Sequence, residues 1–326
     1  MVNIGIVGLG RIAEAFHIPS LQQIPEARIR ALCARTATKE RLALASLVGA
    51  SFYESYQKMI DSETLDAVYI CSPTVYHKQM ALAAFRKGCH VFCEKPIAMK
   101  IEDAEAMCHE AHRNNRLLVV GYNRRFSPTY QRVKGFSEEN KVSILLLEKT
   151  RGAFVNTSKA AYDEKAKREA KALGPDIMEF GVHFVDLAKW IGGRVVKAYF
   201  TGSKIAGVEA SLGSAVAVFD HAQGQRSILY FSLAGGKSME RSTAIADEGT
   251  CETFGGMFGI STVLITKGGQ AEEFPSPREV LEAGGFLQEN RDFIDSVQHN
   301  KCLADKTEDI IDSLLLTLRW AGCDKA

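Results

Sequence analysis

The sequence predicts an α/β protein: a parallel sheet with helices on both faces, followed by an α/β domain built on a large, mostly antiparallel open sheet. Three observations carry this. Residues 1–122 alternate short apolar runs with helical patterns, the mark of βαβ units. From about 123, strand-like runs follow one another with only turn signals between several of them, which suits an antiparallel sheet. The chain has 326 residues, enough for about two domains at roughly 150 residues each.

In the first part the apolar runs are VNIGIVG, RIRALCA, AVYICS, HVFCE and LLVVGY, with a further short strand near SFY. They are apolar throughout rather than alternating, as strands buried on both faces are. In the second part a helical stretch at 175–191, PDIMEFGVHFVDLAKWI, leads into VVKAYFTGS, SAVAVFD, RSILYFSLA, RSTAIAD, GTCETFG and STVLITKG. Two helical segments close the chain, and the last, 307–322, is expected to pack back near the first domain with Arg319 and Trp320 in a structural role. The expected domains are therefore 1–122 and 123–326. The charged segment 158–174 reads as a solvated loop, with a surface helix or flap as the alternative.

Composition excludes several classes. Lys plus Arg number 40 and Asp plus Glu 39, a net charge of +1, without the basic excess of a nucleic-acid binder or an electrostatic membrane binder. No run of about 18 apolar residues suggests a membrane span, and MVNIGIVGLG reads as a first strand rather than a leader. The eight cysteines form no CxxC pair. Several lie in strand-like runs, which fits buried thiols in a reducing, cytoplasmic compartment.

The first strand runs into Gly8-Leu9-Gly10-Arg11-Ile12-Ala13, a G-x-G-x-x-A turn between a strand and a helix. The first glycine permits the turn, the second admits a pyrophosphate, and the small third residue lets helix and strand pack closely. The phosphates then meet the free N–H groups of the helix start. The pattern predicts a Rossmann dinucleotide-binding domain. The second strand ends at Ala34 without the acid that would hold the ribose hydroxyls of NAD; Arg35 and Thr36 follow, with Lys39 and Arg41 nearby. A guanidinium and a hydroxyl suit a 2′-phosphate, so NADP(H) is expected over NAD(H).

Cys71, Ser72, Pro73, Thr74 and His77 follow the AVYICS strand, and Glu94 and Lys95 follow HVFCE. The C-terminal edge of a parallel sheet is where ligands bind, so all of these are expected to line the cofactor, although spacing alone also suits a surface role for His77. Lys95 could exchange a proton with an alcohol beside a nicotinamide; position alone equally allows an ordinary exposed lysine.

Taken together, GLGRIA, SPTVYH, EKP, GYNRRF (121–126) and GVHFVD (181–186) resemble the Gfo/Idh/MocA oxidoreductase family, which includes glucose–fructose oxidoreductase and inositol dehydrogenase. NRRFSP also resembles a virulence-factor-like branch, MviM-like, of that family. The resemblance implies hydride transfer between a nicotinamide and a hydroxyl- or carbonyl-bearing carbon of a sugar, cyclitol or related compound. It implies Lys95 near nicotinamide C4 and His183 as proton partner. Many members have an Asp four residues before that His, where this chain has Glu179; the longer acid is expected to bind a hydroxyl or relay the proton. Tyr122, Asn123 and Arg124 would border the substrate. Homodimers or homotetramers through the open sheet are implied as well.

Alternatives stay open on the residues. A histidine in an apolar helix can be a satisfied buried one. Glu179, His183 and Asp186 could in principle ligate a metal, but Lys95 would repel a cation and no second histidine stands nearby; none is expected. A non-catalytic cofactor-sensing regulator, or a lyase or hydrolase that retains its cofactor, would carry the same fold.

Overall fold

A computed structural model describes residues 1–152, 177–204, 212–232, 234–255, 261–299 and 306–322; the segment 158–174 lies outside them. The chain divides into two compact units, 1–122 with 286–314, and 123–285 with 315–326.

The first unit is a six-stranded parallel sheet in the order β3-β2-β1-β4-β5-β6. Its strands are β1 (Val2–Val7), β2 (Ala27–Cys33), β3 (Ser51–Tyr53), β4 (Ala67–Ile70), β5 (His90–Cys93) and β6 (Leu118–Val120). This is the Rossmann order, in which the strand sequence reverses at β1. Between the strands run α1 (Ile18–Leu21), α2 (Lys39–Val48), α3 (Tyr56–Ser62), α4 (His77–Arg86) and α5 (Ile101–Arg113). Every residue of β4 is buried, as continuous apolarity demands of a strand covered on both faces. Ile4, Ile6, Leu32, Tyr69 and Phe92 form the core together with Phe293 and Ile294.

Those last two belong to a helix near the C-terminus, Phe286–His299. A second domain running from 123 to the chain end, with only the last helix returning, is thus too simple. The whole of Phe286–His299 belongs to the first unit, and the division passes inside the last helix, Thr307–Trp320. The amphipathic helix Phe286–His299 puts Phe286, Phe293 and Ile294 inside, completing a core that β1–β6 leave open.

The second unit begins with a short 3₁₀ turn, Asn123–Phe126, and α6 (Pro128–Glu139). After β7 (Val142–Gly152), a single π turn, Ile177–Gly181, enters α7 (Val182–Gly192). Then come β8 (Val195–Lys204), β9 (Leu212–His221), β10 (Arg226–Ser232), β11 (Ala234–Ala246), β12 (Gly249–Gly255), β13 (Ser261–Lys267), β14 (Gln270–Pro275) and α8 (Val280–Ala283). We number Phe286–His299 α9 and Thr307–Trp320 α10. The sheet has eight strands in the order β14-β13-β12-β11-β7-β10-β9-β8, and β7 with β10 is its parallel pair. Period-two alternation puts Leu145, Leu147, Ala217, Phe219, Leu229 and Phe231 on the buried face, against which α7 packs.

Candidate functional site

The residues singled out from sequence in the first unit meet along one sheet edge. Backbone hydrogen bonds run across the strand ends in succession: Gly8 N–H to Cys33 O at 2.9 Å, Cys71 N–H to Val7 O at 2.8 Å, Glu94 N–H to Ile70 O at 2.9 Å and Gly121 N–H to Cys93 O at 2.8 Å. The loops that leave this C-terminal edge therefore start side by side.

Gly8 has φ +95°, and a Cβ there would lie 2.5 Å from the Ser72 backbone nitrogen. Only glycine lets the first loop seat against the β4 loop. A Cβ on Gly10 would meet nothing within 4 Å, so this backbone faces open space, as a phosphate cradle requires. Arg11 is exposed, Ile12 half-buried and Ala13 fully buried, which matches the packing role of the third small residue. The turn that follows, Ala13–His17, is a π turn running into α1 rather than a regular helical start. Such turns recur at functional sites. Open space at Gly10 and the exposed Arg35 and Thr36 together fit a dinucleotide.

The Arg41 guanidinium donates to Thr36 O at 2.9 Å and reaches Leu9 O at 3.5 Å, tying the β2 loop to the glycine turn. Glu54 also faces this loop, its carboxylate accepting the Ala37 N–H at 3.1 Å. Sequence reasoning missed this acid because it sought one at the end of β2, whereas Glu54 follows β3.

The β4 loop divides. Cys71 and Ser72 are half-buried, Pro73 is exposed and Thr74 is buried. His77 is not a surface residue; it is 1% exposed. Burial lowers its pKa despite the surrounding carbonyls, leaving a neutral ring. Its Nε2 lies 2.8 Å from Ser72 O and its Nδ1 3.3 Å from Cys93 Sγ. Nδ1 also lies 3.2 Å from Ile97 O, so both ring nitrogens face backbone carbonyls. His77 thus shapes the loop from behind.

Glu94 is also buried, and Lys95 beside it is half-buried. One Glu94 oxygen lies 2.9 Å from His17 Nε2 and the other accepts the Lys95 N–H at 3.1 Å. Burial pushes this carboxyl up, but the His17 hydrogen bond and the His17 and Lys95 charges outweigh it, so its pKa falls below the usual range. Glu94 is thus bonded on one oxygen to His17 and on the other to the Lys95 peptide. His17 and Asn290 gave no signal in sequence, since they are 273 residues apart.

In the second unit, Glu179 lies half-buried on the π turn and His183 is buried in the first turn of α7. Glu179 stands four residues before His183, and the π turn interrupts regular helical spacing between them. At Gly181 a Cβ would lie 2.9 Å from the Trp320 ring. Trp320, at the end of α10, is buried beside that glycine.

In the stretch expected to border the substrate, several side chains are held by protein groups. Tyr122 and Asn123 are buried, and Asn123 Nδ2 donates to Gly284 O at 2.8 Å. Arg124 grips Glu240 through both oxygens, at 2.6 and 2.9 Å, and Lys149 donates to the same carboxylate at 3.1 Å. Against its burial, these two cations bring the Glu240 pKa down to about 2. Arg125 forms a bidentate pair with Asp186, so Asp186 is a structural anion of α7. The physical reason is the same throughout: charges brought into the interior require partners.

Residues 2–122 match the model of an oxidoreductase family with an NAD-binding Rossmann fold, Gfo/Idh/MocA. Over these residues the chain is similar to that family. Among relatives, an uncharacterized oxidoreductase of Bacillus subtilis, YrbE, is 27% identical over 62% of this chain and 57% of its own length. A myo-inositol 2-dehydrogenase of Thermotoga maritima is 25% identical over 66% of this chain and 61% of its own. The chain thus spans about six-tenths of the length of these curated relatives. A solved scyllo-inositol dehydrogenase from Lactobacillus casei, with bound NAD(H) and scyllo-inositol, shares the fold at a TM-score of 0.79 and 22% identity, covering 99% of this chain and 96% of that one. No helix among the described residues is long and apolar enough to cross a membrane.

Proposed function

We propose that this chain is an NADP(H)-dependent oxidoreductase acting on a hydroxyl- or carbonyl-bearing carbon of a sugar, cyclitol or related small molecule. The observation that carries the reading is Lys95, which follows β5 at the C-terminal edge of a Rossmann sheet whose Gly10 backbone faces open space. The inositol-directed relatives support the substrate class.

The Gly8–Ala13 turn would hold the pyrophosphate, and Arg35 and Thr36 the 2′-phosphate. Glu54 is the countervailing charge, but its carboxylate is already hydrogen-bonded to Ala37. When bound, the nicotinamide supplies the hydride or accepts it. Lys95 takes the hydroxyl proton in oxidation and returns it in reduction. His183 serves as its proton partner, and Glu179 binds a hydroxyl or relays the proton.

The reading extends to assembly and place. Tyr199, Val218, Ile228 and Leu146 form one cross-strand row on the face opposite the buried one, and Tyr199 is 54% exposed. Such a row suits a second copy of the chain. Cys33, Cys89, Cys93 and Cys251 are buried, unbridged thiols, which suits the cytoplasm.

The test is loss of NADPH absorbance with a panel of inososes and keto-sugars. Wild type is expected to turn over at least one, and Lys95→Ala to lose about a hundredfold in kcat with cofactor Kd unchanged. Full activity in that variant removes Lys95 from the mechanism. No turnover with NADPH or NADH leaves a cofactor-binding regulator.

A further inference from the structure

A buried polar chain stands behind Lys95, and the reaction as read above does not use it. His17 and Asn290 are both 0% exposed, and Glu94 is 7% exposed. Asn290 Nδ2 donates to Phe286 O at 2.7 Å, which settles that atom as the amide nitrogen. The same Nδ2 lies 3.1 Å from His17 Nδ1. Asn290 Oδ1 lies 3.3 Å from the same Nδ1, so the amide flanks that ring nitrogen, and the ring's Nε2 carries a proton toward the carboxylate. That proton faces Glu94 Oε1 at 2.9 Å, and Glu94 Oε2 accepts the Lys95 N–H. The imidazole is enclosed by Phe92 at 5.0 Å, Tyr69 at 5.6 Å and Phe286 at 6.0 Å between centroids, so it cannot swing away.

The connectivity has a purpose beyond packing. An apolar residue at position 17 would fill the space equally well in this aromatic cage. A carboxylate buried beneath a lysine is costly unless its oxygens are bonded, and here each oxygen has a donor. One donor comes from the turn that starts at the glycine loop, the other from the Lys95 peptide.

We infer that His17 and Asn290 are positioning residues: they orient the Glu94 carboxylate, which in turn fixes the Lys95 peptide and hence its ammonium at the sheet edge. The inference rests on the proposed role of Lys95. The His17 turn begins at the phosphate-binding loop, so the group that binds cofactor and the group that moves the proton share one rigid support. A side chain displaced by about 1 Å can cost roughly a hundredfold in rate.

The experiment uses the full chain with ¹³C-dimethylated lysines, the Lys95 resonance being assigned with Lys95→Arg. In His17→Ala and Asn290→Ala that resonance is expected to move toward those of exposed lysines, without cofactor present. His17→Gln, whose amide N–H can reach Glu94, is expected to restore it. With NADPH and an inosose, kcat should fall roughly tenfold or more in both alanine variants while KM stays within about threefold, and His17→Gln should recover most of the loss. Where His17→Ala fails to fold, Asn290→Ala and the isosteric Glu94→Gln decide. A Lys95 resonance unchanged in the folded variants overturns the inference and leaves the functional reading intact. Full activity of Lys95→Ala overturns the functional reading, while the resonance still reports on the support.

Discussion

The Arg124 guanidinium holds the Glu240 carboxylate through both oxygens, at 2.6 and 2.9 Å, across 116 residues of chain. Lys149, 1% exposed, completes the cluster. The pair joins the 3₁₀ turn after β6 to β11 and so anchors the start of the second unit to its sheet. Removing one partner of such a buried cluster leaves uncompensated charge, at about 3–5 kcal/mol.

Glu240→Gln is therefore expected to destabilise the protein by about that amount at pH 7, measured by urea unfolding. Because the folded-state pKa of Glu240 is lowered to about 2 from 4.5, its ionised form contributes fully above pH 4.5. That contribution fades as pH falls from 4.5 toward 2. The gap between wild type and Glu240→Gln should shrink over that window. A gap that stays constant would mean Glu240 is not the titrating group.

Substitution at the glycine turn should separate its two roles. Gly8→Ala forces a Cβ to within 2.5 Å of the Ser72 backbone at φ +95°. It is expected to cost stability, about 1–3 kcal/mol, as well as cofactor affinity. Gly10→Ala meets no protein atom and should leave the melting temperature of the cofactor-free protein nearly unchanged. Its NADPH affinity should still fall at least about tenfold. Equal affinity in Gly10→Ala and wild type would remove this turn from phosphate binding.

Cofactor choice turns on Arg35 and Glu54. Arg35→Ala should weaken NADPH by about tenfold, a loss near 1.4 kcal/mol, and leave NADH nearly unaffected. Glu54→Gln should shift preference further toward NADPH. A wild-type protein that binds NADH tenfold better than NADPH would refute the expected preference.

Assembly is read by sedimentation. Ile228 lies on the outer face of β10, paired with Val218 on β9 and Leu146 on β7. Ile228→Asp should leave the fold intact and dissociate the oligomer. A wild type that sediments as a monomer would show that the exposed row has no second copy on it.

The sequence by itself determined the parallel sheet, the nucleotide turn and the strand-rich second unit, because these are written in local periodicity and in residues adjacent along the chain. Gly8, Gly10 and Ala13 act through neighbouring backbone, and Lys95 through its place at a strand end, so each could be read in one dimension. Only the tertiary structure decided that His77 and Glu94 are buried and bonded to protein groups, that Arg124 and Asp186 are held by buried partners, and that Glu54 faces the β2 loop. It also decided that α9 completes the first unit's core. These facts depend on partners far apart in sequence: Asn290 from His17, Glu240 from Arg124, Phe293 from Tyr69. A buried charge or imidazole is defined by what satisfies it, and that partner is brought near only when the chain folds.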